Sequence, residues 1–286
     1  MKAKTIKKAL RVKIDEWLAS IEDESVRQDA SRFSIVTGGA IASMLLKEPV
    51  NDYDIYFRTQ WVAVAVAEYY VKRFGQSGIK VQIEPDGRVR LVVQGGYRGA
   101  TAGDVRTLQD SGEIEEAFEE TEGMALQDEG TPKYRPVFLS TNAITLSNKV
   151  QIILRFYGEP DEIHENYDFV HCTNYWRSDN DELVLRRDAL ESLLARELRY
   201  VGSKYPVCSV FRLRKFIKRN WTINAGQILK MLMQVSALDL TDPKVLEDQL
   251  TGVDSAYFMQ IMEKLKEKDP EKVNAAYLVE IIDRMF

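Results

Sequence analysis

Apolar residues recur at Ile6, Leu10, Ile14, Trp17, Leu18 and Ile21 with charged residues between them, which predicts an amphipathic helix that lays one stripe on a core. The pattern then changes period. Ser34-Ile35-Val36 is a short β-branched run, Gly38-Gly39 interrupt it, and Ala40 to Leu46 are small, helix-prone residues, giving strand, turn and helix in that order. Pro49-Val50-Asn51 closes the helix, and Asp52 to Phe57, DYDIYF, reads as a strand. Trp61 to Phe74 predicts a helix, and Ile79 to Glu84 with Arg88 to Val93 predict a hairpin around Pro85-Asp86-Gly87.

Further strands are expected over Val137 to Leu139, Ala143 to Leu146 and Lys149 to Phe156, followed by a short helix over Asp161 to Asn166. Tyr167 to Cys172, YDFVHC, reads as another apolar strand with one acid inside it. Beyond it the pattern turns helical, over 186–200, 206–220, 224–236, 243–250, 254–266 and 270–286, with Asp242-Pro243 and Asp269-Pro270 as start signals. The fold class is therefore α+β: a mixed-sheet domain over 1–180, with an insertion over about 95–136, and a helical domain over 181–286.

Composition adds limits. The 286 residues are 45% hydrophobic and 29% charged, ordinary for globular domains, and neither a membrane span nor an apolar signal core stands out. Cys172 and Cys208 are too few for a disulfide framework, so a reducing, cytoplasmic setting is expected. His171 and Cys172 lack further ligands at metal-binding spacing and fit a packed element. The net charge of −5 is uneven. Residues 113–122 are acidic, whereas 186–219 carry ten basic residues against three acidic ones, a block able to follow phosphates.

The chemistry concentrates between Phe33 and Phe57. Asp52 and Asp54 lie two positions apart on a predicted strand, so period two gives both carboxylates one face, close enough to share divalent ions. Mg²⁺ suits such hard oxygen ligands and completes its shell with waters and substrate phosphates. Gly38 and Gly39 let backbone approach a triphosphate, and the helix behind them aims free N–H groups at it. The P-loop and the dinucleotide-binding glycine motif are both missing here.

Gly-Gly, twelve residues and then Asp-hydrophobic-Asp resembles the signature of the DNA polymerase β-type nucleotidyltransferase superfamily, with spacing like that of tRNA CCA-adding enzymes and bacterial poly(A) polymerases. The resemblance implies that Gly38 and Gly39 hold an incoming NTP while Asp52 and Asp54 bind two Mg²⁺ ions. It also implies a third acid on a neighbouring strand, and Asp168 is the candidate. The chain has Ala42-Ser43 where CCA-adding enzymes usually carry Arg-Asp. Val210 to Ile223 faintly resembles the arginine-bearing helix of those enzymes, with Arg212 and Lys215 in corresponding places; Lys204, at a turn just before it, could reach a β- or γ-phosphate.

The implied activity is transfer of NMP from an NTP to an acceptor hydroxyl, releasing pyrophosphate. An RNA, tRNA-like 3′ end leads as acceptor because of the spacing and the basic helices. The same core also serves enzymes that modify proteins or small molecules, and a binding or assembly protein without turnover is the remaining class.

Overall fold

The computed structural model describes residues 1–74, 79–93, 133–139, 142–240 and 242–250. The helices expected over 254–266 and 270–286, the acidic run at 113–122 and most of the insertion lie outside them.

The chain divides into two compact units. One holds the described residues through Glu165 together with His171–Leu193; the other holds Asn166–Val170 and the described residues from Leu194 onward.

The first unit opens with α1 (Ala3–Ala19), whose apolar stripe is buried as its spacing predicts: Ile6, Leu10, Ile14 and Trp17 have no exposed surface. Helix α2 (Glu24–Phe33) follows, its N-terminus capped by the Asp23 side chain accepting from the Val26 N–H. Next come β1 (Ser34–Thr37), α3 (Gly39–Leu46), β2 (Tyr53–Phe57) and α4 (Gln60–Phe74). The expected hairpin is β3 (Ile79–Ile83) against β4 (Val89–Val93), turned at Gly87 with a positive φ of 87°. Strands β5 (Pro136–Leu139), β6 (Ala143–Leu146) and β7 (Val150–Tyr157), helix α5 (Pro160–His164), β8 (Tyr175–Arg177), β9 (Leu183–Val184) and α6 (Arg187–Ala195) complete the run.

Seven strands form one mixed sheet in the order β5-β6-β7-β2-β1-β8-β9. Only β2 and β7 pair in parallel within it; every other neighbouring pair is antiparallel. Val36, Ile55, Phe57, Val150, Ile152, Leu154 and Trp176 enter one core with the buried residues of α1, α3 and α4. One sheet face is therefore packed, and the intervening strand residues turn the other way.

The expected strand over Tyr167–Cys172 does not form. Phe169 makes an isolated bridge with Tyr200, and Val170–Cys172 is a turn of 3₁₀ helix. The run is apolar because its rings pack, not because it alternates: Phe169 meets Tyr200 and Phe216 edge to face, and Phe216 meets Trp221. The helix expected over 186–200 stops at Ala195, where Arg196 takes a positive φ of 48°, and β10 (Glu197–Leu198) pairs in parallel with β11 (Thr222–Ile223). Helices α7 (Pro206–Lys218), α8 (Ala225–Ser236) and α9 (Pro243–Leu250) keep their expected places.

Candidate functional site

Register alone brings the glycine turn to the aspartates. In the antiparallel pair β1 and β2, Ser34 faces Phe57, Ile35 faces Tyr56 and Val36 faces Ile55. The end of β1 thus lies beside the start of β2, and one further step of register sets Thr37 next to Asp54. Gly38 and Gly39 follow Thr37 directly; Asp54 is the second residue of β2, and Asp52 immediately precedes the strand.

The glycines do distinct things. Gly38 is the N-cap of α3 with φ 93° and ψ −147°, a backbone conformation that a side chain would strain. At Gly39 an added Cβ would meet nothing within 4 Å, so space is open where α3 begins. Gly38 has no side chain with which to cap that helix, and the first N–H groups of a helix carry a partial positive charge that suits an anion. Ala42 and Ser43, where Arg-Asp would stand in the CCA-adding pattern, are buried in α3.

Asp54 is the register partner of Gln151 on β7, while Tyr53 pairs with Val150. Ile55 and Ile152 enter the packed core, so alternation turns Asp54 and Gln151 toward the other sheet face. Two lysines brace the loop that presents the acids. Lys149 Nζ donates to the Val50 carbonyl at 3.1 Å, Lys13 Nζ donates to that of Asn148 at 3.1 Å, and the Tyr53 N–H donates to the Lys149 carbonyl at 2.8 Å. Lys13 also lies 5.3 Å over the Tyr53 ring. Burial holds the Lys13 ammonium below the ordinary lysine pKa; Lys149 and Lys133 push the same way and Glu16 opposes them.

Among the described residues, no group of three or more His, Cys, Asp and Glu side chains is placed to hold a metal ion. Two carboxylates still fit Mg²⁺, which takes much of its shell from water and phosphate.

Asp168 and Arg212 come together in the second unit. Arg212 Nη1 donates to Asp168 Oδ2 at 2.7 Å, and the Asp168 carbonyl accepts from the Val201 N–H. The Asp168 side chain is only 13% exposed, and the Arg212 guanidinium offsets the cost of burying its charge. Lys204 and Lys215 are exposed, and the Lys204 carbonyl accepts from Gln249 Nε2 at 2.9 Å. The residues around the turn that sequence reasoning passed over are Thr37, Gln151, His164 and Asn174. Thr37 adjoins the glycines and could have been suspected; the others carry no local signal.

A sequence model of the Gabija anti-defense 2 protein family matches residues 8–196. Gabija anti-defense 2 of Bacillus phage SPbetaL7 is 22% identical over 123 residues, covering 42% of this chain and 31% of that protein. Among solved structures, a tRNA-processing enzyme with CTP is similar at 15% identity and a TM-score of 0.41, over 90% of this chain and 57% of that one. A CCA-adding enzyme with CTP is similar at 16% identity and a TM-score of 0.39, over 100% and 50%. The Thermotoga maritima CCA-adding enzyme complexed with tRNA is similar at 13% identity and 0.36, over 95% and 53%. The chain thus spans about half the length of these enzymes, and its matched stretch spans under a third of the phage relative.

Proposed function

We propose that this chain, which belongs to the Gabija anti-defense 2 family, is a divalent-metal-dependent nucleotidyltransferase that moves NMP from an NTP to an acceptor hydroxyl and releases pyrophosphate. One observation carries the reading: a glycine turn and an aspartate pair meet at the same end of two hydrogen-bonded antiparallel strands.

In this reading the Gly38-Gly39 backbone and the first N–H groups of α3 receive the triphosphate. Asp52 and Asp54 would hold Mg²⁺, which when bound neutralises phosphate charge and lowers the pKa of the acceptor hydroxyl. The sheet fixes the distance between the two halves of the site, so positioning supplies much of the rate. Lys204 and Lys215, both exposed, are assigned to substrate phosphates. Arg212 is already engaged by Asp168, and that ion pair favours a bracing role for both; Asp168 as a third acid is the competing assignment.

Family membership favours an acceptor within the Gabija defence. An RNA 3′ end is the second reading, favoured by the basic block at 186–219. Incubation of the protein with Mg²⁺, each α-labelled NTP, purified Gabija proteins and total RNA separates them. Label in Gabija protein supports the first acceptor and label in RNA the second, with loss in Asp52→Ala and Asp54→Ala in either case. Absence of transfer to any acceptor, or transfer that persists in both variants, overturns the enzyme reading.

A further inference from the structure

Behind the glycine turn lies a buried polar cluster that the transfer chemistry leaves unused. Thr37, which ends β1, is buried, and its Oγ1 lies 2.8 Å from Nε2 of His164, 2.9 Å from the Asn174 carbonyl and 3.3 Å from the Cys172 carbonyl. The Gly38 N–H donates to that same Cys172 carbonyl at 3.1 Å. The residue before the turn and the first residue of the turn are thereby pinned to one segment, 172–174.

The proton count assigns the roles. A threonine hydroxyl has one proton to give, and the Asn174 carbonyl is the closer of its two backbone acceptors. A carbonyl can only accept, so a hydroxyl 2.9 Å from one is best satisfied by giving it that proton; the neutral His164 ring, which can take either tautomer, then donates from Nε2 to Thr37 in its Nε2–H form. His164 is 6% exposed at the end of α5, its ring 5.9 Å from that of Tyr175. Burial, reinforced by Arg186 and opposed by Asp161, lowers its pKa to about 4, so the ring is neutral near pH 7. Arg186 closes the cluster: its backbone N–H donates to Asn174 Oδ1 at 2.8 Å and its guanidinium pairs with Asp161.

We propose that His164, as the Nε2–H donor to the Thr37 hydroxyl, is a positioning residue for the nucleotide, fixing the Gly38-Gly39 turn on which the triphosphate rests. The inference rests on the nucleotidyltransferase reading and adds a residue to it. His164 touches no reacting atom; it sets the direction of the backbone that does. Threonine at 37 is needed because a buried hydroxyl can take a proton from the ring and pass its own to a carbonyl, and valine of the same shape can do neither.

The test compares His164→Leu, His164→Gln, Thr37→Val and Thr37→Ser, using binding of the four α,β-methylene NTP analogues, steady-state kinetics and thermal melts. Glutamine keeps a donor near the ε position and serine keeps the hydroxyl. Loss of one oriented hydrogen bond predicts a rise of about tenfold in Kd and KM for His164→Leu and Thr37→Val, with kcat changed less than about threefold. His164→Gln and Thr37→Ser should restore nucleotide affinity, and the double variant His164→Leu/Thr37→Val should be no weaker than either single one. If the leucine and valine variants bind nucleotide like the native protein, or only melt earlier, the positioning role is wrong while the transferase reading stands. If the native protein binds none of the four analogues and transfers nothing, the transferase reading itself fails.

Discussion

Asp54 and Gln151 are register partners on the parallel pair β2 and β7, so the position beside the aspartate pair on the neighbouring strand carries a neutral amide rather than a third carboxylate. Strand alternation gives Gln151 the same sheet face as Asp54, and its Nε2 donates to Thr145 Oγ1 on β6 at 3.4 Å. Gln151→Glu should therefore add a charge facing Asp54 across roughly 4.8 Å of strand spacing. The metal-free protein should lose about 1 kcal/mol from like-charge repulsion. Mn²⁺ affinity in the absence of nucleotide should rise about tenfold. Calorimetric titration reads the second effect, and unchanged affinity would show that residue 151 does not face the ion that Asp54 binds.

Much of the first unit was legible because its signals are local. The stripe from Ile6 to Ile21 has helical spacing and is buried as a stripe, and the strand, glycine turn and helix over 34–46 follow residue type closely. Helix α2 was missed because ESVRQDASRF buries only Ala30, so periodicity had almost nothing to register; the Asp23 cap was its one signal. Strands β8 to β11 are two or three residues long, too short for alternation to show. Asp168, an acid inside an apolar run, is nearly buried, and a buried carboxylate needs a partner. Its partner is Arg212, 44 positions along the chain, which no local pattern could name.

That pair carries its own prediction. Arg212→Ala leaves Asp168 poorly solvated, but the arginine side chain is 43% exposed, so the cost is discounted to about 1–2 kcal/mol. Asp168→Asn should lower the melting temperature comparably, with turnover kept within a few-fold for both. A loss of about a thousandfold in kcat for Asp168→Asn with an unchanged melt would instead put Asp168 with Asp52 and Asp54 in the chemistry.

Trp17 anchors α1 through both apolar contact and one hydrogen bond, its Nε1 donating to the Tyr70 hydroxyl at 3.0 Å. Both residues are buried, and burial raises the Tyr70 pKa. Trp17→Phe removes the donor and leaves part of the indole volume empty, which should cost about 2–3 kcal/mol in urea unfolding. Tyr70→Phe removes the hydroxyl without opening a comparable void and should cost less. Equal losses would show that the hydrogen bond, not the packing, dominates at this contact.

His164 makes stability depend on pH in a defined direction. An unfolded chain protonates histidine near pH 6.5, whereas burial holds the folded ring neutral down to about 4, helped by Arg186 and opposed by Asp161. Between those values the unfolded state carries the extra proton, so stability rises with pH through this window and falls as acid is added. The contribution is present in full above about pH 6.5 and declines by up to about 3 kcal/mol as pH drops toward 4. His164→Gln removes the titration, so its unfolding free energy should change less steeply than that of the native protein over the same range. Urea unfolding at several pH values between 4 and 7 reads the difference, and parallel profiles would mean that the native ring accepts a proton as readily as the unfolded one.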